Sequence, residues 1–409
     1  MRALKVIRFA SNREVMLQWG LTALLAAFPL MSFAGEWSGY IAGEARVFTH
    51  DPLVPVQHGN NLSLSAQPEF STQWNNDRES FAFVPFARID QHDDERTHVD
   101  IRELTWLKSA EDWELRLGIR KLFWGVTESQ HLVDIINQTD AVEDIDGEEK
   151  LGQPMINLAL IRDWGTLDMF VLPGFRERTF PGEEGRLRTI PYVNTDLTRY
   201  ESAKENRHID FAVRLSNTID DWDYGLSYFY GTSRDPGFIL MTNTQGKAEL
   251  APYYEIISQI GLSLQTVKGD WLWKLETISR AVDAGRYWAM TGGFEYTFVG
   301  IAETSMDLGV ISEYLYDDRG SQASTPFAND VMIGTRLTFN DAQSSDLLAG
   351  IIFDLDHQSI MFNLEGSRRL GTNWKLNVEA RANTRQDSTQ LLYSMRNDSY
   401  LQAELAWYF

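Results

Sequence analysis

The sequence predicts an all-β fold: a transmembrane, antiparallel, up-and-down β-barrel of about eighteen strands, sixteen being the alternative, behind an N-terminal signal peptide. Three observations predict it. Apolar and polar residues alternate over segments long enough to cross a bilayer. The connections between those segments are alternately short and long. The last segment alternates to its end and closes on Phe409.

The leader comes first in the chain. Arg2, Lys5, Arg8 and Arg13 make it positive, and Gly20 to Met31 is an apolar stretch too short to span a bilayer. Ser32-Phe33-Ala34 presents small residues at the positions a signal peptidase reads, which predicts a signal peptide over 1–34 with cleavage before Gly35. An uncleaved membrane anchor and a start at Met16 are the alternatives. The chain of 409 residues has no Cys and a net charge of -21. Loss of the leader removes four basic side chains and Glu14, leaving a net of about -24. So acidic a chain has no basic patch for phosphates, which excludes nucleic acid as partner. Beyond residue 35 there is no apolar run of 18, so no helix is predicted to cross a membrane.

Alternation defines the strands. Leu62, Leu64, Ala66, Pro68, Phe70, Thr72 and Trp74 take one face, and Ser63, Ser65, Gln67, Glu69, Ser71 and Gln73 the other. Soluble strands run to about five or six residues, whereas a tilted membrane strand needs about 9–11. The same period recurs in 37–48, 61–74, 79–90, 97–107, 112–123, 154–162, 165–173, 208–217 and 222–231. It continues through 252–267, 270–281, 286–299, 304–317, 328–340, 345–356, 358–369, 372–385 and 398–409. Slips of phase within 97–107 and 270–281 predict bulges. In hydrocarbon every backbone N–H and C=O must be paired within the protein, so a sheet of this kind has to close on itself.

The connections follow barrel logic. With both termini on one side, the even connections are turns, such as Asn75–Arg78, Asp163-Trp164 and Gly371. The odd ones include 124–153, 174–207, 232–251, 318–327 and 386–397, although 91–96, 282–285 and the one near His357 are short. Leu401, Ala403, Leu405, Trp407 and Phe409 alternate with Gln402, Glu404 and Tyr408 in the last segment. Here the chain resembles the outer-membrane porin-like superfamily of Gram-negative bacteria. The resemblance implies that Phe409 and Trp407 form the signal read by the barrel assembly machinery, and that the protein resides in the outer membrane among lipopolysaccharide and lipid. Arg116-Leu-Gly-Ile-Arg120-Lys-Leu-Phe-Trp124-Gly125, followed by Val133-Asp134-Ile-Ile-Asn137-Gln-Thr-Asp140, looks like the strand and following loop of proteobacterial porin-like barrels, including alginate-export-type channels.

About eighteen strands leave an aqueous lumen. The expected function is therefore passive or facilitated diffusion of small polar solutes. A binding or adhesion barrel acting through its outer loops, and a transporter of hydrophobic compounds, are the alternatives. No enzyme activity and no cofactor are expected. Loop 124–153 is the third outer connection, where porin-like loops fold inward, and Leu132 to Asn137 is read as a short helical turn. Its acids Asp134, Asp140 and Glu143 are expected at the constriction, opposite Arg46, Arg88, Arg102, Arg116 and Arg120 of the first strands. Acids facing arginines predict a transverse field. The competing reading is a solvated outer loop. Glu44, Glu69, Asp90, Asp100 and Glu114 also face inward, so the balance leans towards cations or neutral solutes. Loop 174–207 is expected to cap the pore, to bind a surface ligand, or to pair its own charges. Monomer and trimer both fit the pattern.

Other constellations carry less. Asp144-Ile-Asp146-Gly147-Glu148-Glu149 begins like a calcium loop, but its twelfth position is Met155 rather than a closing Glu. Asp93-Asp94-Glu95 reads as an exposed turn before it reads as a divalent-ion site. The seven His show no zinc-binding spacing, and none is grouped with Ser and an acid for nucleophilic catalysis.

Overall fold

The computed structural model describes residues 35–409, so the signal peptide predicted over 1–34 lies outside the described residues. The strands in chain order are β1 (Glu36–Phe48), β2 (Asn60–Trp74), β3 (Glu79–Asp90), β4 (His98–Ser109), β5 (Trp113–Arg120), β6 (Gln153–Arg162) and β7 (Gly165–Pro173). They continue as β8 (Arg199–Tyr200), β9 (Ile209–Ile219), β10 (Trp222–Thr232), β11 (Gly237–Thr242), β12 (Ala248–Tyr254), β13 (Ile256–Lys268) and β14 (Trp271–Val282). The last are β15 (Gly285–Phe298), β16 (Asp307–Asp317), β17 (Asn329–Thr338), β18 (Asp346–Asp354), β19 (Ile360–Leu370), β20 (Trp374–Thr384) and β21 (Tyr400–Tyr408).

Eighteen of these form one antiparallel sheet. It closes where β1 pairs with β21, from Tyr40 opposite Tyr408 to Phe48 opposite Tyr400. Phe409 adds a last rung by donating its N–H to Gly39 O at 3.1 Å. No edge is left, which is what a sheet in hydrocarbon requires. On β1, Trp37, Ile41 and Val47 point outwards and are exposed, while Ala42, Glu44 and Arg46 are buried inside. Exposed large apolar side chains continue around the outer wall, a surface suited to lipid. Trp271, Trp273, Phe294 and Tyr296 pack together beside a short turn, as an interfacial girdle does. Among the described residues no helix is long and apolar enough to cross a membrane.

The short turns sit where the sequence places them. Asn75, Asn76 and Asp77 all take left-handed φ values, between 52° and 61°, which Asn and Asp tolerate better than most residues. Three expectations need correction. Segment 112–123 stops as a strand at Arg120, because the chain there turns into the lumen. Segment 252–267 divides: Ala248–Tyr254 joins β8 and β11 in a small outer sheet, and the barrel strand starts at Ile256. The bulge expected in 270–281 is absent, since β14 pairs in unbroken register on both sides. Its phase slips because Ile278 faces inward and is buried against the loop that fills that half of the barrel. The bulge in 97–107 is present: the register skips Arg102 opposite Val84 and Pro85, and Pro85 has no N–H to give.

Gly118 of β5 has φ +133°, and a Cβ there would lie 1.9 Å from Leu104 O of β4. Gly118→Ala is expected to lower the unfolding free energy by about 2 kcal/mol, from strain in that backbone region. Urea titration of the barrel refolded into lipid vesicles measures this; an unshifted transition contradicts it.

Candidate functional site: the inward loop and the channel beside it

The loop 121–152 leaves the end of β5 and crosses the lumen to the opposite wall, because two buried carboxylates there accept its amides. Glu276 of β14, fully buried, takes Val126 N–H at 2.7 Å and Thr127 N–H at 3.0 Å on one oxygen, and Val133 N–H at 3.1 Å on the other. Glu313 of β16, also buried, takes Glu128 and Ser129 N–H groups at 2.8 Å each. Carboxylates accepting backbone N–H groups make strong, charge-assisted bonds. In return the Glu128 side chain meets Arg336 at 2.7 Å and Lys274 at 3.6 Å.

Between these anchors the loop is apolar. Trp124, Val133, Ile135 and Ile136 are buried against Met155, Phe170, Leu172, Phe229, Ile257 and Ile278 of the wall. This plug fills the barrel on the side of β6–β15. It also overrides the helical turn expected over Leu132–Asn137, which is irregular here. Each apolar side chain is seated in the wall, and Ile136 O is held by Arg234 at 2.9 Å. Asn137 ties the two stems together, donating to Arg120 O and Leu151 O.

The acidic half of the loop docks on the other wall. Glu143 meets Arg88 at 2.8 Å, and Asp140 meets Arg102 at 2.6 Å. Arg46, Arg88 and Arg102 are all nearly buried, with Glu44 between Arg46, Arg88 and Arg96. Asp134 is paired with Lys150 at 3.2 Å. Arg116 bonds Glu114 and Asn157, and Arg120 bonds Asn157. The expected transverse field across open space is thus replaced on this side by direct ion pairs. Asp144 and Asp146 wrap around Arg381 of β20, at 3.1 and 2.7 Å, so a guanidinium stands where the calcium-like spacing suggested a cation.

His98, Asp140 and Glu143 offer ligand atoms within 4.8 Å of one another, a spacing open to a metal ion. Arg102 and Arg88 already neutralise both carboxylates, and a dication would have to sit beside them. The outer loops close part of the mouth. Arg186 is buried, bonds Asp398 at 2.7 Å and lies 4.1 Å over the Phe48 ring. Asp93, read as part of an exposed turn, is itself buried and accepts from Gly182 N at 2.9 Å, while Asp94 and Glu95 stay exposed.

What stays open is a cavity of about 660 Å³ between the loop and the β14–β20 wall. Arg178, Leu187 and Asp398 bound it near the outer loops; Glu128, Arg336 and Asp346 bound it near the opposite strand ends. Of the eight residues expected at the constriction, Asp134 lines this cavity. Arg46 and Glu143 line a separate pocket of about 30 Å³. Arg280, Arg319, Arg336, Glu365 and Arg381 line the cavity and were missed. Strand alternation marks Arg280, Arg336, Glu365 and Arg381 as inward, while Arg319 lies in the connection after β16; no local signal says which of these residues the loop leaves uncovered.

Glu276→Ala strips three loop amides of their acceptor. The loop is expected to lose about 3 kcal/mol of docking energy, and single-channel conductance is expected to rise; unchanged conductance and protease resistance contradict the clamp. Burial alone would lower the His131 pKa, but the carboxylates of Glu148 at 3.7 Å and Glu276 at 3.9 Å outweigh it and push it up to about 9. A raised pKa means that the docked loop favours the charged ring. Its contribution is complete below about pH 6.5 and is lost as pH rises through 9. Proteolysis of the loop should therefore accelerate between pH 7 and about 9.5 in the parent and less so in His131→Gln; a flat profile in both removes His131 from the clamp.

No protein-family model matches the chain, and no curated protein does. Among solved structures, OccK11 (OpdR) of Pseudomonas aeruginosa aligns with a TM-score of 0.51 and 7% identity, over 92% of this chain and 95% of that one. Wzi of Escherichia coli, an outer-membrane protein involved in group 1 capsule assembly and a carbohydrate-binding β-barrel, aligns with a TM-score of 0.51 and 9% identity, over 98% of this chain and 89% of that one. At such identities the likeness is one of fold, and the fold is that of an outer-membrane β-barrel.

Proposed function

We propose that the protein is a channel for passive or facilitated diffusion of small polar solutes through the outer membrane, with a preference for cations. The reading rests on the state of the charges along the 660 Å³ cavity. Every basic chain that lines it has a carboxylate partner. Lys150 has Asp134, Arg178 and Arg280 share Asp235, Arg234 has Asp210, Arg319 has Asp317, Arg336 has Glu128 and Arg381 has Asp146. The acids are less fully matched. Asp346 has no ion-pair partner among the described residues, and Glu365 has only a share of Arg381 at 3.8 Å. An uncommitted carboxylate in a narrow, low-dielectric passage attracts cations and repels anions.

In this reading residues 1–34 are removed on export, and Phe409 with Trp407 serve assembly. Both side chains lie exposed at the closing strand, within reach of a partner sheet. A second reading is a surface-binding barrel. It is favoured by the outer sheet, which exposes Phe238, Ile239 and Leu240, and by the likeness in fold to Wzi, a carbohydrate-binding barrel.

In planar bilayers under a potassium chloride gradient, stepwise conductance is expected with a reversal potential on the cation side. Asp346→Asn combined with Glu365→Gln should bring that potential towards zero. A silent barrel or an anion-selective one overturns the proposal. Deleting 178–200 should abolish ligand binding and spare conductance only if the surface reading holds.

A further inference from the structure

The wall of the cavity at β17–β19 is unlike the rest of the lumen. Pairing registers place Met332 opposite Ile352, Ile352 opposite Met361, and Leu348 opposite Glu365. These side chains line the same cavity, and Phe327 covers its outer end. Ile311 and Leu315 of β16, on the same inward face one strand over, are buried beside Met332 and pack against it. Gly334 stands opposite Gly350, so the wall has no side chain there, and Met332 Cε lies across the recess. The result is a continuous apolar strip across three strands on the inward face of a polar lumen, with Met332 buried and Leu348, Ile352 and Met361 half-buried. The part of an apolar strip left open to an aqueous channel has a solvation cost, which an apolar solute body removes.

Carboxylates border the strip. Asp346 is two residues from Leu348 on the same face of β18, and Glu365 is the cross-strand neighbour of Leu348. Asp146 and Glu148 approach from the loop across the cavity. Asn363, next along β19, gives its amide N–H to Glu365 at 2.7 Å, and its Oδ1 has no hydrogen-bond partner among the described residues. Arg336 is the one basic side chain on the inward faces of β17 and β18 that lines the cavity, and Glu128 holds it at 2.7 Å. Thioether sulfurs at Met332 and Met361 add soft, polarisable contacts. Acceptors and negative charge flank an apolar bed, and the neighbouring Arg381, 3.8 Å from Glu365, is itself held by Asp144 and Asp146.

We infer that this strip is a solute-binding station for amphipathic organic cations: molecules with an ammonium head and an aromatic or aliphatic body. The inference deepens the channel reading and rests on it. The body lies on Met332, Leu348, Ile352 and Met361. The head sits between Asp346 and Glu365, with the carbonyl of Asn363 as an added acceptor. Anions of the same size meet the same bed but an unfavourable potential.

The test uses the full barrel in planar bilayers, with benzyltrimethylammonium, tetramethylammonium and benzoate as probes of potassium current. Benzyltrimethylammonium is expected to block at concentrations roughly tenfold or more below tetramethylammonium, because only the former buries a ring. Benzoate is expected to leave the current unchanged. Asp346→Asn with Glu365→Gln should weaken the block roughly tenfold. Met332→Ser with Ile352→Ser should erase the difference between the two cations while conductance persists. Equal potency of the two cations, or block by benzoate, overturns the station and leaves the channel standing. If the barrel is silent, the channel reading falls. Calorimetric titration of the detergent-solubilised protein with benzyltrimethylammonium then decides the station alone: saturable binding lost in Asp346→Asn with Glu365→Gln upholds it, and no binding overturns it.

Discussion

The closure of the backbone ladder is the constraint on which everything else depends. Eighteen strands pair in sequence, and β1 meets β21 over nine rungs. In hydrocarbon an unpaired peptide group costs several kcal/mol, so the ring has to close. Closure makes the period of two absolute. Trp37, Ile41 and Val47 belong to lipid, and Ala42, Glu44 and Arg46 belong to the interior. The interior of a ring this size is too wide for wall side chains to fill. Some other part of the chain must enter it, or it stays open to water.

The loop between β5 and β6 enters, and three kinds of force hold it. Buried carboxylates on the far wall capture its amides; aliphatic side chains pack beneath it; ion pairs bind its acidic return to Arg88, Arg102 and Arg381. Each force acts on a different stretch, so the loop is stretched across the lumen rather than coiled in it. That is why Leu132–Asn137 forms no helical turn: local hydrogen bonds lose to several separate tertiary anchors. The same stretching divides the lumen. One half becomes an apolar core, and the other keeps a passage along β14–β20.

The division also sorts the charges. Arginines that alternation turns inward number many, yet those beside the passage are held by carboxylates within ion-pair distance. Pairing cancels their field at the range of a passing solute. What remains is a small excess beside the apolar strip of Met332 and Ile352: Asp346, with no ion-pair partner among the described residues, and Glu365, with only a share of Arg381. In the proposed channel, selectivity follows from which charges are left over, not from how many there are.

Strand number, direction and facing were legible in the sequence, because they depend on a period of two and on turn chemistry that neighbouring residues express. Asn75–Asp77 and Gly371 mark turns whatever surrounds them. The alternation in 401–409 marks the closing strand. For loop 124–153 the sequence left an inward fold and a solvated outer loop both open. Its grip was not legible. Glu276 and Glu313 look like any other inward carboxylates of their strands, and nothing near them announces amides from 150 or 185 residues away. The slip at Ile278 read as a bulge because its cause, the apolar plug, lies in another segment. The sequence by itself determined a closed membrane ring with a polar interior. Only the tertiary structure decided which half of that interior is filled and which charges stay unpaired, because both depend on contacts across the lumen that no local pattern encodes.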